Sequence, residues 1–199
     1  EKKEMKKAIL HSEIAIELDD KLENCYLNLA TIYNQIGDYK KSLILTKKEL
    51  LLNKNSKFSY QHISELIKKG ELLNTSEKDD RELLKSILNR TDISHRELFG
   101  NISSLISKEI LEKLSILESE LYENHEFNIL IKDKEVIKAL SLLIFCSPLW
   151  EKVLGNIRKN ILISYSDEDR VSNSILHFII GLGSQCFLNE YIYYISAEE

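Results

Sequence analysis

Residues 23–56, ENCYLNLATIYNQIGDYKKSLILTKKELLLNKNS, constrain the fold more than any other stretch of the chain. Tyr26, Leu29, Ala30 and Tyr33 recur at spacings of three and four, the period at which side chains share one face of an α-helix, and Leu43 and Leu50 continue the pattern after a glycine. Gly37 can take the left-handed backbone conformation that ends a helix, and Ala30 and Ser42 are small enough to let two helix backbones approach closely. The stretch therefore predicts a helical hairpin in which rings pack beside small side chains. Such a pair cannot bury its apolar face alone and must stack on neighbours.

The flanking residues supply those neighbours. In residues 3–18 the phase of Ala8, Ile9, Ser12, Ala15, Ile16 and Leu18 reads as the second helix of a preceding pair, closed by Asp19 and Asp20. In residues 57–70, Tyr60, Ile63, Ser64 and Ile67 repeat the order of ring, leucine-like, small and ring-like residue, as the first helix of the next pair. Position for position, residues 23–56 resemble a tetratricopeptide repeat, a helix-turn-helix unit of about 34 residues. Tyr26 stands at its first ring, Leu29-Ala30 at its leucine and small-residue pair, Tyr33 at its next ring, Ile36-Gly37-Asp38-Tyr39 at its turn, and Ser42 at its small contact residue. Glu49 stands where a small residue is usual, and Lys54 replaces the closing proline.

The resemblance implies an all-α protein: tetratricopeptide-type hairpins stacked as an αα superhelix, followed by a C-terminal helical bundle. It divides the chain into an array fragment at 1–70, degenerate repeats or a linking bundle at 71–125, and a helical domain at 126–199. The sequence opens in the middle of a repeat, so both ends are expected to be cut from a larger protein. In family members the first helices of stacked repeats line a concave groove that holds extended peptides or partner helices. Carried over by position, that groove takes Asn24, Leu27, Asn28, Thr31 and Asn34 from one repeat and Phe58, Gln61, His62 and Glu65 from the next. Asn28 stands where sugar-transferase relatives place an asparagine against the ligand backbone, because a carboxamide donates and accepts at once. His62 interrupts any asparagine ladder, and the lysines of chaperone-tail-binding relatives are missing. The expected role is a protein-interaction scaffold for a protein or peptide partner, with no cofactor and no catalysis of its own.

Composition narrows the classes further. One proline and six glycines in 199 residues favour helices over strands and tight turns, and a hydrophobic content of 43% supplies one large or two small cores. A net charge of −5 offers no general attraction to nucleic acid or anionic membranes. A basic concave face, which nucleic-acid binding by helical repeats requires, is absent from the groove residues named above. Cys25, Cys146 and Cys186 are widely spaced and flanked by apolar residues, which predicts buried thiols in a reducing, cytoplasmic compartment. The five histidines never fall at metal-ligand spacing beside cysteines or acids.

The rest of the chain is helical by periodicity. A helix is expected over 77–89 after an Asn74-Thr75-Ser76 loop and cap. Another, capped by Asp92 or Ser94, should carry Leu98, Ile102, Leu105 and Ile106; a third, capped by Ser107, should run through Ile110, Leu111, Leu114 and Leu117 to Leu121. Asn124-His125-Glu126 reads as a hinge, 133–145 as an apolar helix, and Pro148 as the first turn of a helix carrying Leu149, Trp150, Val153, Leu154, Ile157 and Ile161. Asp167 to Asp169 suit the start of a final segment. Residues 175–195 are apolar almost all round but too interrupted for a membrane span, predicting a buried central helix or pair, broken or closely packed at Gly181–Gly183, and self-association where any part stays uncovered.

Within that run, Ser184 to Tyr193, preceded by Leu154-Gly155-Asn156-Ile157-Arg158, resembles the segment that links tetratricopeptide arrays to a methyltransferase domain in certain large bacterial proteins. On that alternative the chain is the non-catalytic part of a larger methyltransferase, positioning substrate for a downstream domain. Ile179-Ile180-Gly181-Leu182-Gly183 imitates a phosphate loop but lacks the third glycine and the room for a βαβ unit. Ser184, Cys186 and His177 could be imagined as nucleophile and base, yet a thiol in apolar surroundings is inert. Gln185, Asn189 and Glu190 are candidates for contact with a neighbouring domain.

Overall fold

The structure, a computed structural model, describes residues 2–71, 73–118, 120–164 and 172–188. Those residues contain no β-strand: the chain is all-α. Two compact units divide it, Glu1–Leu72 with Arg90–Glu97, and Leu73–Asn89 with Leu98–Glu199, so that residues 71–125 are shared between the units.

The first unit contains α1 (Lys2–Leu18), α2 (Cys25–Ile36), α3 (Tyr39–Leu52) and α4 (Lys57–Lys68). Gly37 ends α2 at φ +90°, and the hydrogen bonds from Gly37 N–H to Asn34 O (3.1 Å) and from Asp38 N–H to Tyr33 O (2.9 Å) satisfy the last carbonyls of the helix. The Asp38 side chain then accepts Lys41 N–H at 3.1 Å and starts α3. Leu29, Ala30, Tyr33 and Leu45 form the buried centre, with Ile9 and Ile16 of α1 and Tyr26 of α2 packed against them. Ser42 is fully buried and donates to Ala30 O at 2.7 Å, so the small pair brings α2 and α3 into direct contact. Ser56 caps α4 by accepting Ser59 N–H at 3.2 Å. Residues 90–97 return to α4, where the Arg90 guanidinium lies 4.3 Å from the Tyr60 ring centroid while it grips Asp92 with two hydrogen bonds of 2.8 and 2.7 Å.

The second unit contains α5 (Lys78–Leu88), α6 (Phe99–Ser103), α7 (Lys108–Ser115), α8 (His125–Leu130), α9 (Lys134–Leu140), α10 (Pro148–Ser164) and α11 (Asn173–Leu188). Its core is aromatic. Trp150, Phe127, Phe145 and Phe178 are fully buried, with edge-on ring pairs between Phe145 and Trp150 (5.0 Å) and between Phe127 and Phe178 (5.7 Å). Arg81 of α5 reaches Asp133 (2.6 Å) and Glu135 (3.1 Å) at the start of α9. The Asn156 carboxamide of α10 donates to Leu114 O and Leu117 O, closing the exposed end of α7.

Several elements are shorter than periodicity alone predicts. The segment expected to carry Leu98, Ile102, Leu105 and Ile106 is a 3-10 turn (Arg96–Leu98) followed by the single turn-and-a-half of α6. The Ser107-capped helix stops at Ser115, leaving Leu121 in a separate 3-10 turn, and α9 ends at Leu140. The supposed hinge at 124–126 is a helix start, since the Asn124 side chain accepts Phe127 N–H at 2.8 Å. Cys25 and Cys186 are buried but Cys146 is exposed, in the loop before α10. The final helix runs unbroken through Gly181 and Gly183, and it is not sealed: Leu176 is 47% exposed and Ile180 58%. Only one of its faces meets the unit, so apolar content on the other side stays uncovered. Asp167 to Asp169 lie outside the described residues.

Candidate functional site

The sequence places Asn24, Leu27, Asn28 and Thr31 at intervals of three and four at the start of α2, and Phe58, Gln61, His62 and Glu65 at the same intervals along α4. That spacing aligns each set on one helix face. The two faces enclose one open groove of about 570 Å³, lined by those eight residues. Asn34, expected beside them, does not line it. Its carboxamide is buried and spent on a tether, accepting Lys69 Nζ at 2.8 Å and donating to Glu65 Oε1 at 3.3 Å.

Each wall is fixed from behind. Asn24 sits at φ +65°, a left-handed conformation that asparagine tolerates better than most residues, and its N–H donates to Glu49 Oε1 at 3.0 Å. Glu49 is the departure from the repeat pattern noted above. It is fully buried and binds the N-terminal end of α2, where the helix dipole favours an anion. Its Oε2 has no hydrogen-bond partner among the described residues. On the opposite wall His62 is almost wholly buried, with Nε2 2.8 Å from Ser42 Oγ. Because Ser42 gives its only proton to Ala30 O at 2.7 Å, it accepts from His62, and the ring therefore carries its proton on Nε2.

Burial holds the His62 pKa below its ordinary value; the nearby Glu65 carboxylate opposes that shift and the Lys69 ammonium adds to it. Glu65 is held below the ordinary carboxylate range, chiefly by its hydrogen bond to Lys69, which approaches Oε1 at 3.0 Å. At neutral pH the groove thus carries one ionised carboxylate and a neutral imidazole. The carboxamides of Asn28 and Gln61 have no hydrogen-bond partner among the described residues, and both residues are exposed. Such groups can pair with the N–H and C=O of an extended chain.

The second unit's candidates disperse. Gln185, a candidate for contact with a neighbouring domain, is fully buried, and its carboxamide has no partner among the described residues. Asn189 and Glu190 lie outside the described residues. Ser184 gives its proton to Ile180 O at 3.0 Å within α11, and the glycine-rich run is helix rather than strand and loop. Among the described residues no group of three His, Cys, Asp or Glu side chains could hold a metal ion, and no helix is long and apolar enough to cross a membrane.

The tethering pair Asn34 and Lys69 and the buried cap Glu49 escape sequence reading. Two signals pointed to them: a lysine four residues after Glu65, and an acid at a position that calls for a small side chain. The chain matches no family model, and neither a curated protein nor a solved structure matches it significantly.

Proposed function

We propose that the first unit is a fragment of a tetratricopeptide-type array and that the α2–α4 groove binds an extended peptide segment of a partner protein, making the chain an interaction scaffold. The observation that carries this reading is the convergence of two helix faces, each spaced at three and four, on one open groove whose exposed carboxamides are unspent. A solvated surface of no function has no need to hold Asn24 and His62 by buried partners on its far side. The test is fluorescence polarisation of the full chain against a degenerate octapeptide library. Asn28→Ala should weaken binding about tenfold, the loss of two backbone hydrogen bonds at about 0.7 kcal/mol each, net of exchange with water. Equal binding by the variant and the parent chain would remove the groove from consideration.

The same scaffold role extends to self-association through α11. Leu176 and Ile180 lie one turn apart on its uncovered side, and a second copy offers the same apolar surface. Light scattering should show mass rising with concentration, and Ile180→Lys should abolish the rise. A constant monomer mass across a wide concentration range would sink this reading.

A further inference from the structure

The groove's valences point to the kind of peptide it takes. Among its lining residues Glu65 alone is formally charged at neutral pH, and no lysine or arginine lines it. Lys69 stands behind Glu65, shared between Asn34 Oδ1 and Glu65 Oε1 and set 5.2 Å from the Tyr39 ring centroid. Both of Glu65's protein partners use Oε1, which leaves Oε2 without a partner among the described residues.

His62 adds a second acceptor. With its proton on Nε2 committed to Ser42, the ring of this groove-lining residue keeps a lone pair on Nδ1, for which the described residues supply no partner. Thr31 donates its hydroxyl proton to Leu27 O at 2.9 Å, so it too faces a ligand as an acceptor. Only the carboxamides donate. At the opposite end Phe58, 69% exposed, offers an apolar platform two helical turns from Glu65.

Resting on the groove reading above, we propose that the occupant is a basic peptide whose lysine or arginine side chain donates to Glu65 Oε2 and His62 Nδ1. An ionised carboxylate and a neutral imidazole, both set by fixed partners, form a charge-assisted acceptor site for an ammonium or guanidinium, and they disfavour an acidic side chain at the same place.

The test uses the full chain with N-acetylated, C-amidated octapeptide libraries that are degenerate except for one central position, fixed as arginine, citrulline or glutamate. Citrulline keeps the shape of arginine without its charge. The arginine library should bind about tenfold more tightly than the citrulline library, as one charge-assisted contact allows. Glu65→Gln, at a half-exposed position, should erase that difference. Asn28→Ala should weaken both libraries alike.

Acidification supplies an independent arm. Between about pH 7.5 and about pH 5.5, Glu65 stays ionised, while His62 begins to take up a proton on Nδ1 and repels the ligand cation. The arginine preference should therefore shrink as pH falls. Equal binding of arginine and citrulline libraries, or preference for glutamate, overturns the basic-ligand inference while leaving the groove reading intact if Asn28→Ala still weakens binding. Failure of every library to bind overturns both.

Discussion

Trp150→Ala is expected to lower the stability of the second unit by about 3–5 kcal/mol, the cost of truncating a large, fully buried aromatic side chain. The residue has no solvent exposure, its ring meets Phe145 edge-on at 5.0 Å, and its indole N–H donates to Ser103 Oγ at 3.1 Å. Alanine removes the ring contacts and strands the Ser103 hydroxyl together. Because it lies at the start of α10 and reaches α6, the loss loosens two elements rather than one. Thermal melting followed by circular dichroism should show a fall on the order of 15 °C or more. The exposed Lys152→Ala on the same helix should stay within about 0.5 kcal/mol of the parent. A melt of Trp150→Ala that overlays the parent would mean the aromatic core is not the centre of the unit.

The second large effect concerns two glycines on one helix with opposite outcomes. A Cβ at Gly181 would lie 3.1 Å from the Ile137 carbonyl oxygen and 3.3 Å from Leu140 Cβ, both on α9. Gly181→Val adds two further carbons to that contact, so α11 and α9 must part, at a cost of about 1–3 kcal/mol. At Gly183 a Cβ meets nothing within 4 Å. Gly183→Ala therefore removes only the entropic cost of glycine in a helix and should stabilise by up to about 1 kcal/mol. Urea denaturation, followed through the chain's single tryptophan, reads both. Destabilisation of similar size by the two substitutions would deny the close α9–α11 contact.

The groove residues were placed in advance by the resemblance to tetratricopeptide repeats, and helix spacing is consistent with that placement. Once Tyr26, Leu29, Ala30 and Tyr33 are assigned inward, Asn24, Leu27, Asn28 and Thr31 fall on another side with no tertiary information. Asn34 continues that spacing and yet leaves the groove, because Glu65 and Lys69 draw its carboxamide aside. No periodicity encodes such a pull between residues of different helices.

In the second unit the same reasoning overran. Apolar residues continue past Leu140 and past Ser115, but each helix ends where a cap and a chain reversal become available, and periodicity does not register either. Cys146 has apolar neighbours in sequence, but it falls in a loop before α10, where both it and Ile144 are exposed. Gln185, a candidate for inter-domain contact, is carried inside by the packing of α11.

Local pattern thus determined the all-helical class, the α2–α3 hairpin with its Gly37 turn and Ser42 contact, and which side chains share a face, since each follows from backbone preference and a period of 3.6 residues. Tertiary structure alone decided where helices stop, which face of α11 stays open, and how Ser42 assigns the proton of His62 and Lys69 engages Glu65. Those outcomes depend on atoms far apart in the chain, and only packing brings their charges and lone pairs within reach of one another.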